Sequence, residues 1–325
     1  MNQSKKTIAV CLRSYNQRDY LIQAIDSVLA QTRMPDQIVV VDDNSPDDSV
    51  EVLRQYERDH PGLFTIKINE TNQGGEVNRH LAMIESRCDL TALLDADDLF
   101  YPEKVRLEEQ CLIDHPQAGF VYSNFNTIDG KGDIISQWTK RPDMLPRGDI
   151  IEPIVSHRFP RNIHCRSLLA GTKSLIAAST HSQKLPLYED LAIYIQLSSA
   201  MKCAVVNEVC HGYRLHEGGM HRTRRDDHYA ALKRIYDYFD HIFDEQPVEL
   251  RTRLHMHRDR VLSGYAWRAI KDHYKSPTEQ SKKRVIELAA DAMRRRPSSV
   301  RPKHVVRILA TQFKSPKYPA PKILN

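Results

Sequence analysis

Three acidic residues stand within four positions directly after an apolar run. The run Ala92-Leu93-Leu94 is followed by Asp95-Ala96-Asp97-Asp98. Carboxylates fixed at the end of a strand can hold a hard divalent cation such as Mg²⁺ or Mn²⁺, together with water and phosphate oxygens. Such a cation neutralises the charge that develops on a leaving diphosphate. The alternative is a solvated acidic turn, because the N-terminus of a following helix also favours Asp.

Two further polar groups follow apolar runs. Asp42-Asp43-Asn44-Ser45 follows the run at 38–41, and Ser14-Tyr15-Asn16 follows the run at 7–12. An Asp at such a position can accept a hydrogen bond from a base N–H or a ribose hydroxyl, and a Tyr can stack on a planar base. Each group taken alone is also explained by a turn, since Asp-Asn-Ser-Pro satisfies an Asx-type turn unaided.

The elements around these groups alternate between strand and helix. Apolar runs predict strands at 7–12, 37–41, 63–68 and 89–94, and helical spacing predicts helices at 19–31, 47–59, 75–86 and 102–114. Four such repeats predict an α/β fold, with a Rossmann-like, mostly parallel sheet flanked by helices. Because ligands of these sheets bind at the carboxyl ends of the strands, the acidic groups lie at the expected site.

The rest of the chain is less regular up to residue 225 and helical beyond it. We predict strands at 118–123 and 203–209, a helix at 188–201, and a loop region at 124–165 that lies over the site. Helices follow at 226–244, 248–274, 278–295 and 301–313. The predicted divisions are a domain at 1–225, a helical C-terminal extension at 226–313 and a flexible tail at 314–325.

The charge of the chain is unevenly distributed. The 325 residues carry a net charge of +5, but residues 280–325 hold twelve Lys and Arg against two acidic residues. The remaining residues therefore carry a net charge of −5, and the basic character belongs to the C-terminal segment. No apolar run reaches the length of a membrane-spanning helix, and the N-terminus lacks the apolar core of a signal peptide. The six cysteines form no C-x-x-C pair, which argues against a zinc ribbon or a disulfide scaffold.

Taken together, the segments resemble the nucleotide-sugar-binding half of family 2 glycosyltransferases with the GT-A fold. The likeness covers about residues 7–222. It is carried by Ile8-Ala9-Val10 with Tyr15-Asn16, Leu21 with Ala24 to Thr32, Ile38 to Ser45, Asn72-x-Gly74 with Arg79, Leu94 to Asp98, and Glu189-Asp190. The resemblance implies an enzyme that inverts the anomeric centre, transferring a sugar from a nucleotide-sugar donor, expected to be a UDP-sugar. It also implies that about 1–123 binds the nucleotide sugar and about 124–225 meets the acceptor.

The resemblance assigns roles to individual residues. Tyr15 and Asp43 would hold the base, Arg79 would approach the ribose or phosphates, and Asp95 would contact the ribose or sugar. Asp97 would bind the metal, Mn²⁺ or Mg²⁺, and Asp98 would contact the donor sugar or cap the next helix. Asp190 would be the general base, because a carboxylate within hydrogen-bond reach can take the proton of the incoming hydroxyl.

Two departures from the family pattern leave the identity of the donor open. Leu12-Arg13-Ser14 stands where the family often has Pro-Thr, and Asn78-Arg79-His80 stands where it often has Ala-Arg-Asn. Arg13 either reaches a donor phosphate or is solvated. The segment 213–222 resembles the family's Tyr-Arg-x-His segment that closes over the diphosphate. There His216 would complete the metal shell or bind the diphosphate, and Arg222 would pair with phosphate oxygens, unless the segment is simply a flexible basic loop.

The expected partners follow from the resemblance and the charge. They are the nucleotide-sugar donor and a glycan, polysaccharide or lipid-linked acceptor. Two interpretations of the basic C-terminus stay open, a peripheral contact with anionic lipid and a solvated face of packed helices. We expect a cytoplasmic protein, at the inner face of the membrane if the first interpretation holds. No nucleic acid is expected, because no binding module accompanies the charge.

Two other classes of function remain as alternatives. One is another nucleotide-dependent transferase on the same fold, such as a nucleotidyltransferase. The absence of a Gly-rich phosphate loop with a partner Lys after the first strand counts against it. The other is a non-catalytic module that binds a nucleotide sugar. The presence of Asp95, Asp97 and Asp190 together argues against that class.

Overall fold

The computed structural model describes most of the chain. The described residues are 5–157, 168–182, 185, 187–216, 225–275, 279–301, 303–305 and 307–308. The chain divides into two compact units, Met1–Gly219 and Met220–Asn325. Among the described helices, none is both long enough and apolar enough to cross a membrane.

The described residues of the first unit form nine strands and seven α-helices. The strands are β1 (Ile8–Ser14), β2 (Gln37–Asp42), β3 (Phe64–Ile68), β4 (Leu90–Asp95), β5 (Leu99–Phe100), β6 (Ala118–Ile128), β7 (Ile134–Gln137), β8 (Leu168–Gly171) and β9 (Lys202–Arg214). The helices are α1 (Arg18–Leu29), α2 (Ser49–Asp59), α3 (Gly75–Ile84), α4 (Lys104–Asp114), α5 (Ile151–Ser156), α6 (Thr172–Ser182) and α7 (Glu189–Ala200).

All nine strands join one mixed sheet, with the order β3-β2-β1-β4-β8-β6-β9-β5 and with β7 paired to β6. The first four positions in this order are parallel to one another, as the strand–helix alternation predicts. The helices between them cover the sheet, so β1, β2 and β4 are almost wholly buried. This matches the continuous apolar runs, because a parallel strand buried on both faces needs no polar side.

The register of the parallel strands places the polar groups side by side. Ser14 at the end of β1 pairs with Asp42 at the end of β2, and Arg13 pairs with Asp95 at the end of β4. Three strand ends therefore reach the same edge of the sheet. A shift of two residues in either pairing would separate these side chains by a full repeat of the strand.

The region 124–165 corrects the prediction of a long loop. β6 continues to Ile128, β7 pairs with it, and α5 follows at 151–156. In the second half of β6 the buried apolar residues Phe125 and Ile128 alternate with the buried polar residues Asn124 and Asn126. That sparse pattern hides the strand in the sequence. Residues 158–165 lie outside the described residues.

The second unit is helical in its described residues. Its long helices are α8 (Arg225–Asp244), α9 (Val248–Lys275) and α10 (Glu279–Arg295), followed by a short 3₁₀ turn at Pro297–Ser299. One apolar cluster joins the three helices; its buried members are Tyr229, Ala266, Trp267, Ala269, Ile270, Val285, Leu288, Ala289 and Ala292. The predicted helical extension is therefore present. Of the predicted helix 301–313, residues 303–305 and 307–308 are described and helical.

Candidate functional site

The turn after β2 is shaped by hydrogen bonds of Asp42. Its carboxylate accepts bonds from the backbone N–H of Ser45, at 2.8 Å, and from the Ser45 hydroxyl, at 2.6 Å. Asn44 between them has a φ of 63°, a conformation that Asn tolerates better than most residues. Ser45 Oγ in turn accepts the backbone N–H of Asn16 at 2.9 Å. Asp42 thus joins the turns after β1 and β2.

Asp43 is held by the loop that leads into α3. Its carboxylate accepts bonds from the backbone N–H of Gln73, at 2.7 Å, the backbone N–H of Gly74, at 2.9 Å, and Asn69 Nδ2, at 2.9 Å. Burial alone would raise the pKa of Asp43, but these donors outweigh it and lower the pKa. Gly74 has a φ of 91°, which a residue with a side chain rarely adopts. Asp43 is therefore an ionised anchor of this loop.

Tyr15 lies at the rim of the same edge. It follows Ser14 directly, and 47% of its surface is exposed. The ring is therefore accessible to a planar partner, as the sequence interpretation requires. Because Tyr15 and Asp43 flank adjacent strand ends, a ligand that stacks on the tyrosine would lie close to the Asp43 loop.

The buried Arg79, the partly buried Arg13 and three carboxylates form an ion-pair network, the Arg79 network. Arg79 Nη2 contacts Asp95 at 3.2 Å, Arg79 Nη1 contacts Asp190 at 3.2 Å, and Arg79 Nε contacts Glu189. Arg13 Nε contacts the same Asp95 at 2.6 Å, and Arg13 Nη1 contacts Glu189 at 3.0 Å. The first turn of α7, 176 residues away from Arg13 in sequence, is thereby joined to β1 and β4.

Burial and charge oppose each other inside this network. Burial disfavours the ionised form of Glu189 and raises its pKa to about 7, although Arg79 and Arg13 pull it down. Burial and the neighbouring Arg79 disfavour the charged form of Arg13, yet Asp95 and Glu189 hold its pKa above the usual range. Two guanidinium groups thus face three carboxylates, with Asp190 the most accessible at 20% side-chain exposure.

Gly75 makes room for the network. A Cβ added to this residue would lie 2.9 Å from Arg13 Nη1, closer than real Cβ contacts come. The guanidinium is held by Asp95 and Glu189, so it cannot simply turn away. A glycine at the first position of α3 therefore lets the helix approach Arg13.

The acidic cluster after β4 has the composition of a cation site. One ligand atom from each of Asp95, Asp97 and Asp98 lies within 4.8 Å of the others. Asp97 Oδ2 is also 3.0 Å from His216 Nε2. Three carboxylates and an imidazole fit Mg²⁺ or Mn²⁺, since both ions prefer oxygen-rich sites. Asp95 is paired with Arg13 and Arg79, and Asp98 accepts the backbone N–H of Arg214, so Asp97 and His216 are the best placed to hold an ion.

Asp98 has a structural role in addition to its place in the cluster. It is buried, and its Oδ1 accepts the backbone N–H of Arg214 at 2.8 Å. The Arg214 side chain in turn donates to the Asp97 carbonyl at 2.7 Å and to Gln23 Oε1 at 3.0 Å. The guanidinium also lies over the ring of Tyr20, at 4.6 Å. The turn 95–98 is therefore braced against the end of β9.

Arg214 itself was missed as an organising residue by the sequence analysis. From the sequence, the segment 213–222 is either a loop over the diphosphate or a flexible basic loop, but Tyr213 and Arg214 end β9 and Arg214 is buried. The only signal in the sequence is its place after an apolar strand. Gln73 and Asn69, which hold Asp43, carry no signal that the sequence analysis used.

The structure brings most of the predicted site residues to one edge of the sheet. Arg13, Arg79, Asp95 and Asp190 are in direct contact, and Asp97 contacts His216. Asp98, Tyr15 and Asp43 lie on the adjoining turns. Arg222 lies outside the described residues.

Comparisons with known proteins bear on the family and the fold. The sequence model of Glycosyl transferase family 2 matches residues 9–166. TuaG of Bacillus subtilis, a glycosyltransferase named for teichuronic acid biosynthesis, is 24% identical over 216 residues, which cover 66% of this chain and 81% of TuaG. The chondroitin synthase of Escherichia coli is 24% identical over 212 residues, which cover 64% of this chain and 29% of the synthase.

Solved structures show the same fold. Residues 1–349 of S. aureus TarS, crystallised with UDP, superpose with a TM-score of 0.64 at 15% identity, covering 94% of this chain and 88% of that one. The same part of TarS with UDP-GlcNAc gives a TM-score of 0.66. The predicted α/β class, GT-A fold and helical C-terminal extension are thereby confirmed. Residues 9–166 of the chain are thus similar to Glycosyl transferase family 2, and relatives that the chain matches, such as TuaG, are named glycosyltransferases.

Proposed function

We propose that the protein transfers a sugar from a UDP-sugar to a glycan, polysaccharide or lipid-linked acceptor, with inversion at the anomeric carbon. One observation carries the proposal. Arg79 contacts both Asp95, at the strand end expected to meet the donor, and Asp190, the expected base. A donor group and an acceptor group are thus fixed relative to each other by one side chain, as a single displacement requires.

The donor end of the proposed site comprises Tyr15, Asp43, Arg13, Arg79, Asp95 and Asp98. The exposed ring of Tyr15 offers a stacking surface for the base. Asp43 is committed to backbone N–H groups, so we propose that it supports the base mainly by ordering the loop before α3. The complexes of TarS with UDP and UDP-GlcNAc support a uridine diphosphate donor. Arg222 stays a proposed phosphate contact.

Asp97 and His216 would hold the divalent cation, Mn²⁺ or Mg²⁺. When bound, the ion supplies positive charge that stabilises the leaving diphosphate. Asp97 is kept in position because Arg214 holds the carbonyl of the same residue. His216 is positioned by the ring of Tyr20, whose centroid lies 5.1 Å from that of the imidazole.

Asp190 is the proposed general base. It stands in the first turn of α7, one residue after Glu189, and Arg79 Nη1 holds one of its oxygens at 3.2 Å. Held by Arg79 in this way, the carboxylate would accept the proton of an incoming hydroxyl. Glu189 positions the network, because it contacts both arginines and is more deeply buried.

We propose that different parts of the chain bind the donor and the acceptor. Residues of about 1–123 provide the donor end, and about 124–225 meet the acceptor. Relatives named for teichuronic acid and chondroitin, both sugar polymers, support a polymeric or growing glycan as acceptor. A place at the cytoplasmic side of a membrane would suit a lipid-linked acceptor.

A donor panel tests the proposal. The protein is incubated with UDP-, GDP- and dTDP-sugars, with and without Mn²⁺, and nucleoside diphosphate release is measured. We expect release from a UDP-sugar that requires the metal and that Asp97→Ala abolishes. The matched control is Asp59→Ala on the exposed end of α2, which should behave as wild type. Absence of metal-dependent release and of donor binding across the panel would overturn the proposal.

A further inference from the structure

The outer face of α10 combines apolar and basic side chains. Ile286 and Met293 are 54% and 41% exposed, and Ala290 between them is exposed as well. These three residues are spaced i, i+4 and i+7, so they form one stripe along the helix. The opposite face, with Val285, Leu288 and Ala292, packs into the core of the second unit.

Cations flank this stripe. Lys283 is exposed, and Arg294, which pairs with the largely buried Asp291 at 3.6 Å, is exposed over 75% of its side chain. At helical spacing both lie next to the stripe on the same side. The acidic residue on this side, Glu287, is contacted by Arg284 at 3.3 Å, which offsets its charge. The apolar stripe is therefore bordered by positively charged side chains.

The residues after α10 add further positive charge beside this helix, and side-chain contacts attach them to α9. Trp267 Nε1 donates to Ser299 Oγ at 2.9 Å, and the Trp267 ring stacks on His304 at 4.2 Å. These contacts hold Ser299 and His304 against α9, and Arg301 and Lys303 nearby are exposed. Burial lowers the pKa of His304, and Lys303, Arg307 and Arg301 lower it further, which shows how dense the local positive charge is.

We propose that the outer face of α10 docks on a bilayer that contains anionic lipid. Aliphatic side chains flanked by Lys and Arg are the composition of helices that lie in the interface of a membrane. Each Lys or Arg near an anionic leaflet strengthens binding about fivefold. A nucleic acid would use the cations alone, and a protein partner would not require them; the bilayer uses both the cations and the stripe.

Vesicle co-sedimentation of the full chain tests the proposal. The wild type should bind vesicles of phosphatidylglycerol and phosphatidylcholine and should bind pure phosphatidylcholine at least tenfold more weakly. Lys283→Gln with Arg294→Gln should weaken binding about 25-fold, from two fivefold losses. Ile286→Ser with Met293→Ser should weaken it about tenfold or more, since these apolar groups leave water on docking.

A matched control separates the face from net charge. Arg54→Gln with Arg58→Gln removes the same charge from exposed positions on α2, and binding should stay within about twofold of wild type. All four substituted positions of α10 are exposed, so urea unfolding of the variants should match wild type. Equal binding to pure phosphatidylcholine, or equal weakening by the control pair, would overturn the proposal. The proposal would also be overturned if the protein does not bind vesicles but forms an oligomer that Ile286→Ser with Met293→Ser dissociates. The outer face of α10 would then contact a second copy of the chain.

Discussion

Arg79→Lys tests whether one guanidinium holds the acidic groups of the site together. Arg79 is buried and contacts Asp95, Glu189 and Asp190 with different nitrogens. A lysine keeps the positive charge but offers a single nitrogen on a flexible stem, so it cannot span three carboxylates in fixed directions. The substitution therefore breaks the geometry of the network while its net charge stays the same.

The size of the effect follows from the contacts that are lost. A hydrogen bond to a charged group contributes about 1.5–3 kcal/mol, and these contacts are not additive within one network. With at least one contact retained by the lysine, we expect the free energy of unfolding to fall by about 2–3 kcal/mol. We expect kcat to fall about 100-fold, which corresponds to about 2.7 kcal/mol of transition-state stabilisation.

Two measurements and one control make the test specific. Urea unfolding gives the loss of stability, and UDP release from the donor selected by the panel gives kcat. Arg54→Lys on α2 is the same substitution at an exposed arginine paired with Glu57 at 3.0 Å, and it should cost less than about 0.5 kcal/mol. If Arg79→Lys unfolds like Arg54→Lys and keeps kcat within about threefold of wild type, the network does not position the site.

Three other substitutions probe the supporting structure. Asp43→Asn should lower the free energy of unfolding at neutral pH by about 1–3 kcal/mol. Because folding lowers the pKa of Asp43, the stability that its carboxylate contributes is present above the unfolded pKa of about 3.9 and is lost as the pH falls through the folded pKa. Urea titrations at several pH values should therefore show that the difference in stability between the variant and wild type disappears in acid. Gly75→Ala should lower the free energy of unfolding by about 1–3 kcal/mol, because its Cβ would displace Arg13 from its ion pairs. It should also lower kcat about tenfold, and an unchanged kcat in the UDP-release assay would contradict the close fit. Lys104→Met leaves the buried carboxylate of Glu108 without its cation and should lower the free energy of unfolding in urea by about 3–5 kcal/mol. The double variant Lys104→Met, Glu108→Gln should lose clearly less stability. Equal losses in the two variants would show that the buried pair is not coupled.

The sheet and its ligand edge were predictable because their signals are local. β1, β2 and β4 are mostly apolar runs, and β1, β2 and β3 are each followed along the chain by a helix of regular spacing. Asp43 and Asp95 stand directly at strand ends, so the topology alone brings them to one edge. The only further step is the parallel pairing of the strands, which the strand–helix alternation predicts.

The interior of the site was not predictable in the same way. The contact between Arg13 and Glu189 joins residues 176 positions apart, and Arg13 was interpreted as either a phosphate ligand or a solvated residue. Arg214 follows an apolar strand and looks like part of a basic loop, yet its side chain is buried by partners from three other segments. Long-range polar contacts leave no periodic pattern in the sequence, so only the folded chain reveals them.

The most direct measurement of the proposed chemistry compares binding with turnover in Asp190→Asn. Asparagine keeps the shape of the side chain and a contact to Arg79, but it cannot take the proton of an incoming hydroxyl. Calorimetry with UDP and Mn²⁺ should give a Kd close to that of wild type, while kcat should fall about 10²–10⁴-fold. A variant that binds UDP normally and turns over within about tenfold of wild type would contradict the assignment of Asp190 as the base.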